Sequence, residues 1–92
     1  MIRSFANKRT EALFFTGKSR RYVAIILVAR RKLQALDNTR HLEDLRQPDG
    51  NRLEALKGDR RGQYSILIND QYRICFTWRD SEPHAVEIAD YH

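Results

Sequence analysis

The side chains best suited to chemistry lie in the second half of the chain: Lys57, Arg73 and the closing run Asp90-Tyr91-His92. Together they suit one reaction, cleavage of RNA without a metal. RNA carries its own nucleophile, the 2′-hydroxyl. A protein has to help remove that proton, protonate the departing 5′-oxygen and offset charge on the phosphate in the transition state. His92 could exchange a proton near neutrality. Tyr91 could donate a hydrogen bond or stack on a base. Lys57 and Arg73 could sit across a phosphate, and Asp90 could orient a neighbour or act as a weak base. A plainer reading stands beside this one: His92 is simply exposed, and Tyr91 caps the core.

Other chemistries find little support. His41, His84 and His92 are widely separated and Cys75 has no second cysteine, so the recurring metal-ligand spacings are absent and no metal or cofactor is expected. No glycine pattern supports a dinucleotide or P-loop site. Gly58-Asp59-Arg60-Arg61-Gly62 reads first as a hairpin turn, although its two arginines could clamp a nucleic-acid backbone. Cys75, between Ile74 and Phe76, reads as structural, and a lone cysteine fits a reducing compartment. Met1–Phe5 lacks the apolar stretch of a signal peptide. The longest apolar run, 22–29, is far too short for a membrane span. A cytoplasmic protein without a membrane partner is expected.

The elements that must position these residues follow from periodicity. Ile2–Phe5 reads as a short edge strand. Asn7 is a helix N-cap for Lys8–Phe15, which Gly17 stops. A second helix is expected over Tyr22–Leu36, with Val23, Ile26, Leu27, Arg30, Leu33 and Leu36 at spacings of three and four. Ile25 and Val28 widen its apolar surface beyond a normal stripe. Thr39–Gly50 is a polar connection pinned by Leu42 and Leu45. The period then changes to two. Strands are expected over Arg52–Lys57, Gln63–Ile68, Tyr72–Trp78 and Ala85–Ala89, with turns at 58–62, 69–70 and 80–83. Tyr64, Ile66 and Ile68 share one face, as do Tyr72, Ile74, Phe76 and Trp78. Arg73, Cys75, Thr77 and Arg79 point the other way. Helices grouped before an antiparallel meander indicate an α+β fold in one domain, 1–92, with one sheet face on the helices and the other open to a ligand.

The 92 residues carry a formal charge of +5. The excess is confined to the first third, where Arg3, Lys8, Arg9, Lys18, Arg20, Arg21, Arg30, Arg31 and Lys32 face a single acid, Glu11. Such a field attracts phosphates, so Lys8, Arg9, Lys18, Arg20, Arg21, Arg30, Arg31 and Lys32 are candidates for contact with structured RNA.

Several segments carry a family resemblance: Met1-Ile2-Arg3-Ser4-Phe5, Leu33-Gln34-Ala35-Leu36-Asp37, the stretch from Arg52-Leu53 through Leu56-Lys57-Gly58-Asp59-Arg60, then Gly62-Gln63-Tyr64-Ser65, Arg73-Ile74 and Asp90-Tyr91-His92. Over nearly its whole length the chain resembles the HigB toxins of bacterial toxin–antitoxin modules, in the RelE/ParE superfamily, and is most similar to GraT-type members. The resemblance implies a RelE/ParE-like fold and a ribosome-dependent mRNA endoribonuclease that cuts in the ribosomal A site. It also implies a cognate HigA- or GraA-type helix-turn-helix antitoxin in a 2:2 heterotetramer, with operator DNA reached only through that antitoxin. By the same resemblance Lys57 would stabilise the scissile phosphate and Arg73 would clamp it. Asp90, Tyr91 and His92 would share acid–base help, orientation and stacking, and Tyr64 would support the sheet more than touch the substrate; beside these, the turn arginines Arg60 and Arg61 and the Tyr64 ring are the substrate-binding candidates. Glu54 departs from the histidine that several relatives carry there. A carboxylate could act as a base but not as the same acid near pH 7, and it places negative charge near a phosphate, so a milder or more selective toxin is expected. The competing readings are a ParE-like gyrase inhibitor and a weakly active homologue that keeps mainly antitoxin binding.

Overall fold

The computed structural model describes residues 1–91, and helix α1 spans Lys8–Thr16. The Asn7 side chain accepts the Thr10 amide proton at 2.9 Å, and Gly17 closes the helix in the left-handed region at φ 70°. The space above Gly17 is taken by the end of the Arg30 side chain, which would have to move for any larger residue. A Cβ would lie 2.6 Å from Nη1 of Arg30, whose Nε donates to the Phe14 carbonyl at 3.3 Å.

The second helix begins later than the periodicity suggests. Val23–Ile25 is a 3₁₀ turn, and α2 runs Ile26–Asn38. Its buried stripe is Ile25, Ala29, Leu33 and Leu36, so the helix is rotated by about one position from the expected stripe. Small Ala29 at the centre permits close approach to the core. Val23 and Leu27 consequently stay exposed, at 70% and 87%. The connection after α2 is two 3₁₀ turns, Leu42–Arg46 and Asp49–Asn51, with Leu45 buried as the pin.

Four antiparallel strands follow in the sheet order β1-β2-β3-β4: β1 Glu54–Ala55, β2 Gln63–Leu67, β3 Tyr72–Arg79 and β4 Glu82–Asp90. Strand β1 is shorter than the expected 52–57. Arg52 takes a positive φ of 45°, and Lys57 already caps the 3₁₀ turn Gly58–Arg60. Strand β4 is longer than expected because the β3–β4 turn needs only Asp80 and Ser81, both at positive φ, the conformation a two-residue hairpin requires. Pro83 therefore lies inside a strand, which is tolerated on the outer strand of a sheet. The anticipated N-terminal strand is reduced to one parallel bridge, Phe5 to Val86. Segment 3–6 still covers the β4 edge: Arg3 donates to Pro83, Val86 to Ser4, and Ala6 to Val86.

The core lies between α1, α2 and one sheet face, with Leu13, Ala29, Leu33, Leu36, Ile66, Ile74, Phe76 and Val86 fully or nearly fully buried. Among the described residues, no helix is long and apolar enough to cross a membrane.

Candidate active site

Period-two alternation sends a second set of residues to the sheet face away from the helices. One row crosses all four strands: Glu54 pairs with Ser65, Ser65 with Cys75, and Cys75 with Glu87. A carboxylate stands at each end of the row and two small residues lie between. Where β4 is opposite Cys75–Thr77 its register shifts, in a stretch that includes Ala85 at φ 51°. Val86 and Ile88 still reach the core, and Glu87 the open face.

Each end carboxylate holds an arginine. Arg73 Nη2 lies 3.4 Å from Glu54. The same guanidinium donates through Nε to Ser65 Oγ at 2.8 Å and through Nη2 to the Arg52 carbonyl at 2.9 Å. Its carbon sits 5.8 Å from the centre of the Tyr91 ring, a cation–π distance. Arg73 is thus 11% exposed and supports Tyr91 from below. At the other end, Arg60 Nη1 donates to Glu87 at 2.7 Å and to Gln63 at 3.0 Å. The bond to Glu87 is the main cause that raises the Arg60 pKa, so this cation persists throughout the working pH range.

Over the small centre of the row, the Tyr91 hydroxyl meets Cys75 Sγ at 3.7 Å. Burial raises the Cys75 thiol, against an opposing pull from Tyr91 and Arg60, and the thiol stays protonated. Burial, and then the contact with Cys75, raises the Tyr91 phenol. At neutral pH Tyr91 is therefore a hydroxyl donor and not a base. Gln71 Nε2 donates to Asp90 at 3.2 Å. Lys57, Asp59, Arg60, Ala89, Asp90 and Tyr91 line a shallow cleft of about 470 Å³.

The structure thus gathers Lys57, Arg60, Asp90 and Tyr91 around one cleft, with Arg73 and Glu54 beside it. Arg61 is exposed on the adjoining turn. His92 lies outside the described residues. Tyr64 pairs with Phe76 and packs against the core, where the two rings stack 6.2 Å apart, a place that suits support of the sheet. Two cations named as candidates for RNA contact make bonds within the chain. Arg30 is spent on the carboxyl end of α1. Lys32 Nζ donates to the Leu67 carbonyl at 2.7 Å and to Asn51 Oδ1 at 2.9 Å, and burial lowers its pKa. Lys8, Arg9, Lys18, Arg20, Arg21 and Arg31 are exposed. Sequence reasoning missed Ser65, Gln63 and Glu87. The alternation that put Cys75 beside Arg73 could have flagged Ser65, but nothing local marks Glu87 as the partner of Arg60.

The chain is an α+β fold of two helices on a four-stranded antiparallel sheet, with cations lining a cleft. A solved structure of a YoeB–YefM complex from Staphylococcus aureus has the same fold, at a TM-score of 0.63 and 20% identity over 100% of this chain and 95% of that one. The family model for the RelE-like toxin HigB of type II toxin–antitoxin systems matches residues 3–92. Toxin HigB-1 of Vibrio cholerae serotype O1 is 39% identical over 82 residues, 87% of this chain and 86% of that protein. Endoribonuclease HigB of Proteus vulgaris is 31% identical over 93 residues, the full length of both. The chain belongs to the HigB-like toxin family and is the toxin of a type II toxin–antitoxin system.

Proposed function

We propose that this toxin is an endoribonuclease that cuts translated mRNA in the ribosomal A site by attack of the 2′-hydroxyl on the adjacent phosphorus. The observation that carries the reading is the convergence of Lys57, Arg60, Asp90 and Tyr91 on one cleft, in a relative of a protein named as an endoribonuclease. In the reaction the 2′-oxygen bonds to phosphorus, the bond to the 5′-oxygen breaks, and a proton passes from the first oxygen to the second. Lys57 and Arg60 offset phosphate charge. The Tyr91 hydroxyl orients or stacks, Asp90 assists at the 2′-hydroxyl, and His92 exchanges the proton. Arg73 acts from beneath Tyr91, with one face toward the phosphate.

The partner is a HigA-type helix-turn-helix antitoxin in a 2:2 assembly that also reaches operator DNA, and the setting is the cytoplasm. The exposed pair Val23 and Leu27 supports a protein partner of this kind, being apolar surface left on a small chain. The test maps mRNA 5′ ends in cells expressing the wild type or His92→Gln. In-frame cuts that vanish in the variant are expected. DNA damage without such cuts would replace this reading with gyrase inhibition.

A further inference from the structure

The cleft has two halves that are remote in sequence. Lys57 and Arg60 belong to the 3₁₀ turn between β1 and β2, closed by the Arg60 amide donating to the Lys57 carbonyl at 3.3 Å. Asp90 and Tyr91 lie at the end of β4. Strand β3 lies between β2, which the turn enters, and β4, so the two halves are separated by roughly 10 Å, about two interstrand spacings. Strand β1 pairs through two residues, and the Leu56 amide donating to the Gln63 carbonyl at 2.8 Å ties the turn to β2 but not to β4.

We propose that Glu87 is a positioning residue. Its ion pair with Arg60 crosses the sheet and sets the spacing between the Lys57 turn and the Asp90-Tyr91 end of β4. The inference rests on the endoribonuclease reading above. Glu87 lies three residues before Asp90 on the same strand, and its Oε1 takes Arg60 Nη1 at 2.7 Å. The carboxylate is itself held, because Asn7 Nδ2 donates to Oε2 at 3.4 Å while Asn7 caps α1. The bridge lies beside Cys75, the register partner of Glu87, whose small side chain leaves room for it. At 23% and 35% exposure, Glu87 and Arg60 are far less solvated than Glu54, the carboxylate at the other end of the row, which is 55% exposed. Of the two carboxylates, Glu87 is therefore the more enclosed. Among the described residues both side-chain bonds of Arg60 use Nη1, and Nε and Nη2 are the groups that would meet a phosphate oxygen.

The test compares Glu87→Ala, Glu87→Gln, Arg60→Ala and the Glu87→Ala/Arg60→Ala double variant in ribosome-programmed mRNA cleavage, with Lys57→Ala as the inactive control. Antitoxin binding and melting temperature report folding. Misplacement of a reacting group by about 1 Å can cost on the order of a hundredfold. Glu87→Ala is accordingly expected to lower kcat by about tenfold or more, with KM within about threefold. Glu87→Gln keeps the acceptor oxygen and is expected to recover most of the loss. The double variant is expected to be no worse than Arg60→Ala, since one change already breaks the pair. A folded Glu87→Ala with wild-type kcat, or losses that simply add, would overturn the proposal. If the wild type itself cuts no mRNA, the functional reading fails instead.

Discussion

Glu54 and Glu87 are both carboxylates paired with an arginine on the same face, yet their surroundings give them opposite weight. Glu54 is over half exposed and 3.4 Å from Arg73. Solvent reaches the pair through Glu54, although Arg73 is only 11% exposed, and screening on that side holds it to about 0.2–1 kcal/mol. Its main effect is to place negative charge beside the path of a phosphate. Glu54→His removes that charge and adds a group that titrates near neutrality. Cleavage in vitro is expected to rise about two- to fivefold, the equivalent of an exposed pair. Unchanged or slower cleavage by a folded variant would show that Glu54 contributes as a base instead. At this scale the sequence was legible for charge and poor for partners. Lys57, Arg73, Asp90 and Tyr91 stand out by type. That Arg73 is committed to Ser65 and the Arg52 carbonyl depends on a strand pairing no local signal reveals.

Between elements, buried polar contacts fix geometry that periodicity leaves open. Asn7, Gly17 and the period-two strands were readable because each follows from a local rule: a cap, a left-handed residue, an alternating face. The rotation of α2 and the shortness of β1 were not, because both are decided by what packs against them. Lys32 shows the difference. It belongs to a basic run that reads as a solvated face, yet its ammonium joins α2 to the end of β2 and to Asn51. Lys32→Met would leave the Leu67 carbonyl and Asn51 Oδ1 without that donor. Urea unfolding should show a loss of about 1–3 kcal/mol, the cost of stranding buried acceptors. The pH dependence carries a sign. Burial, with help from Arg31, holds Lys32 below the ordinary 10.5, so the unfolded chain binds the proton more tightly. Between the lowered value and 10.5 the wild type should gain stability as pH rises, and Lys32→Met should lack that component. Equal stability of the two proteins at neutral pH would mean the contacts contribute nothing.

Over the whole molecule, the positive charge divides into three uses. Arg30 and Lys32 hold elements together, and Arg60 and Arg73 build the cleft. Arg9, Lys18, Arg20 and Arg21 gather around a separate depression of about 270 Å³ beside α1 and the connection that follows it. None of this last group lines the Lys57–Tyr91 cleft. In the proposed function their place is in association and not in chemistry. Cations that neutralise phosphates release counterions, so each contact adds roughly one unit to the slope of log affinity against log salt. The double variant Arg20→Ser/Arg21→Ser should weaken engagement with the proposed ribosomal partner and reduce that slope by about one to two units. Its cleavage rate at saturating ribosome should match the wild type, because the cleft is untouched. The measurement is cleavage rate against ribosome concentration at several salt concentrations. A variant with the wild-type salt slope would place the docking charge elsewhere. One with the wild-type slope and a lower saturating rate would mean that these arginines act on the cleft after all, joining two sites the fold holds apart.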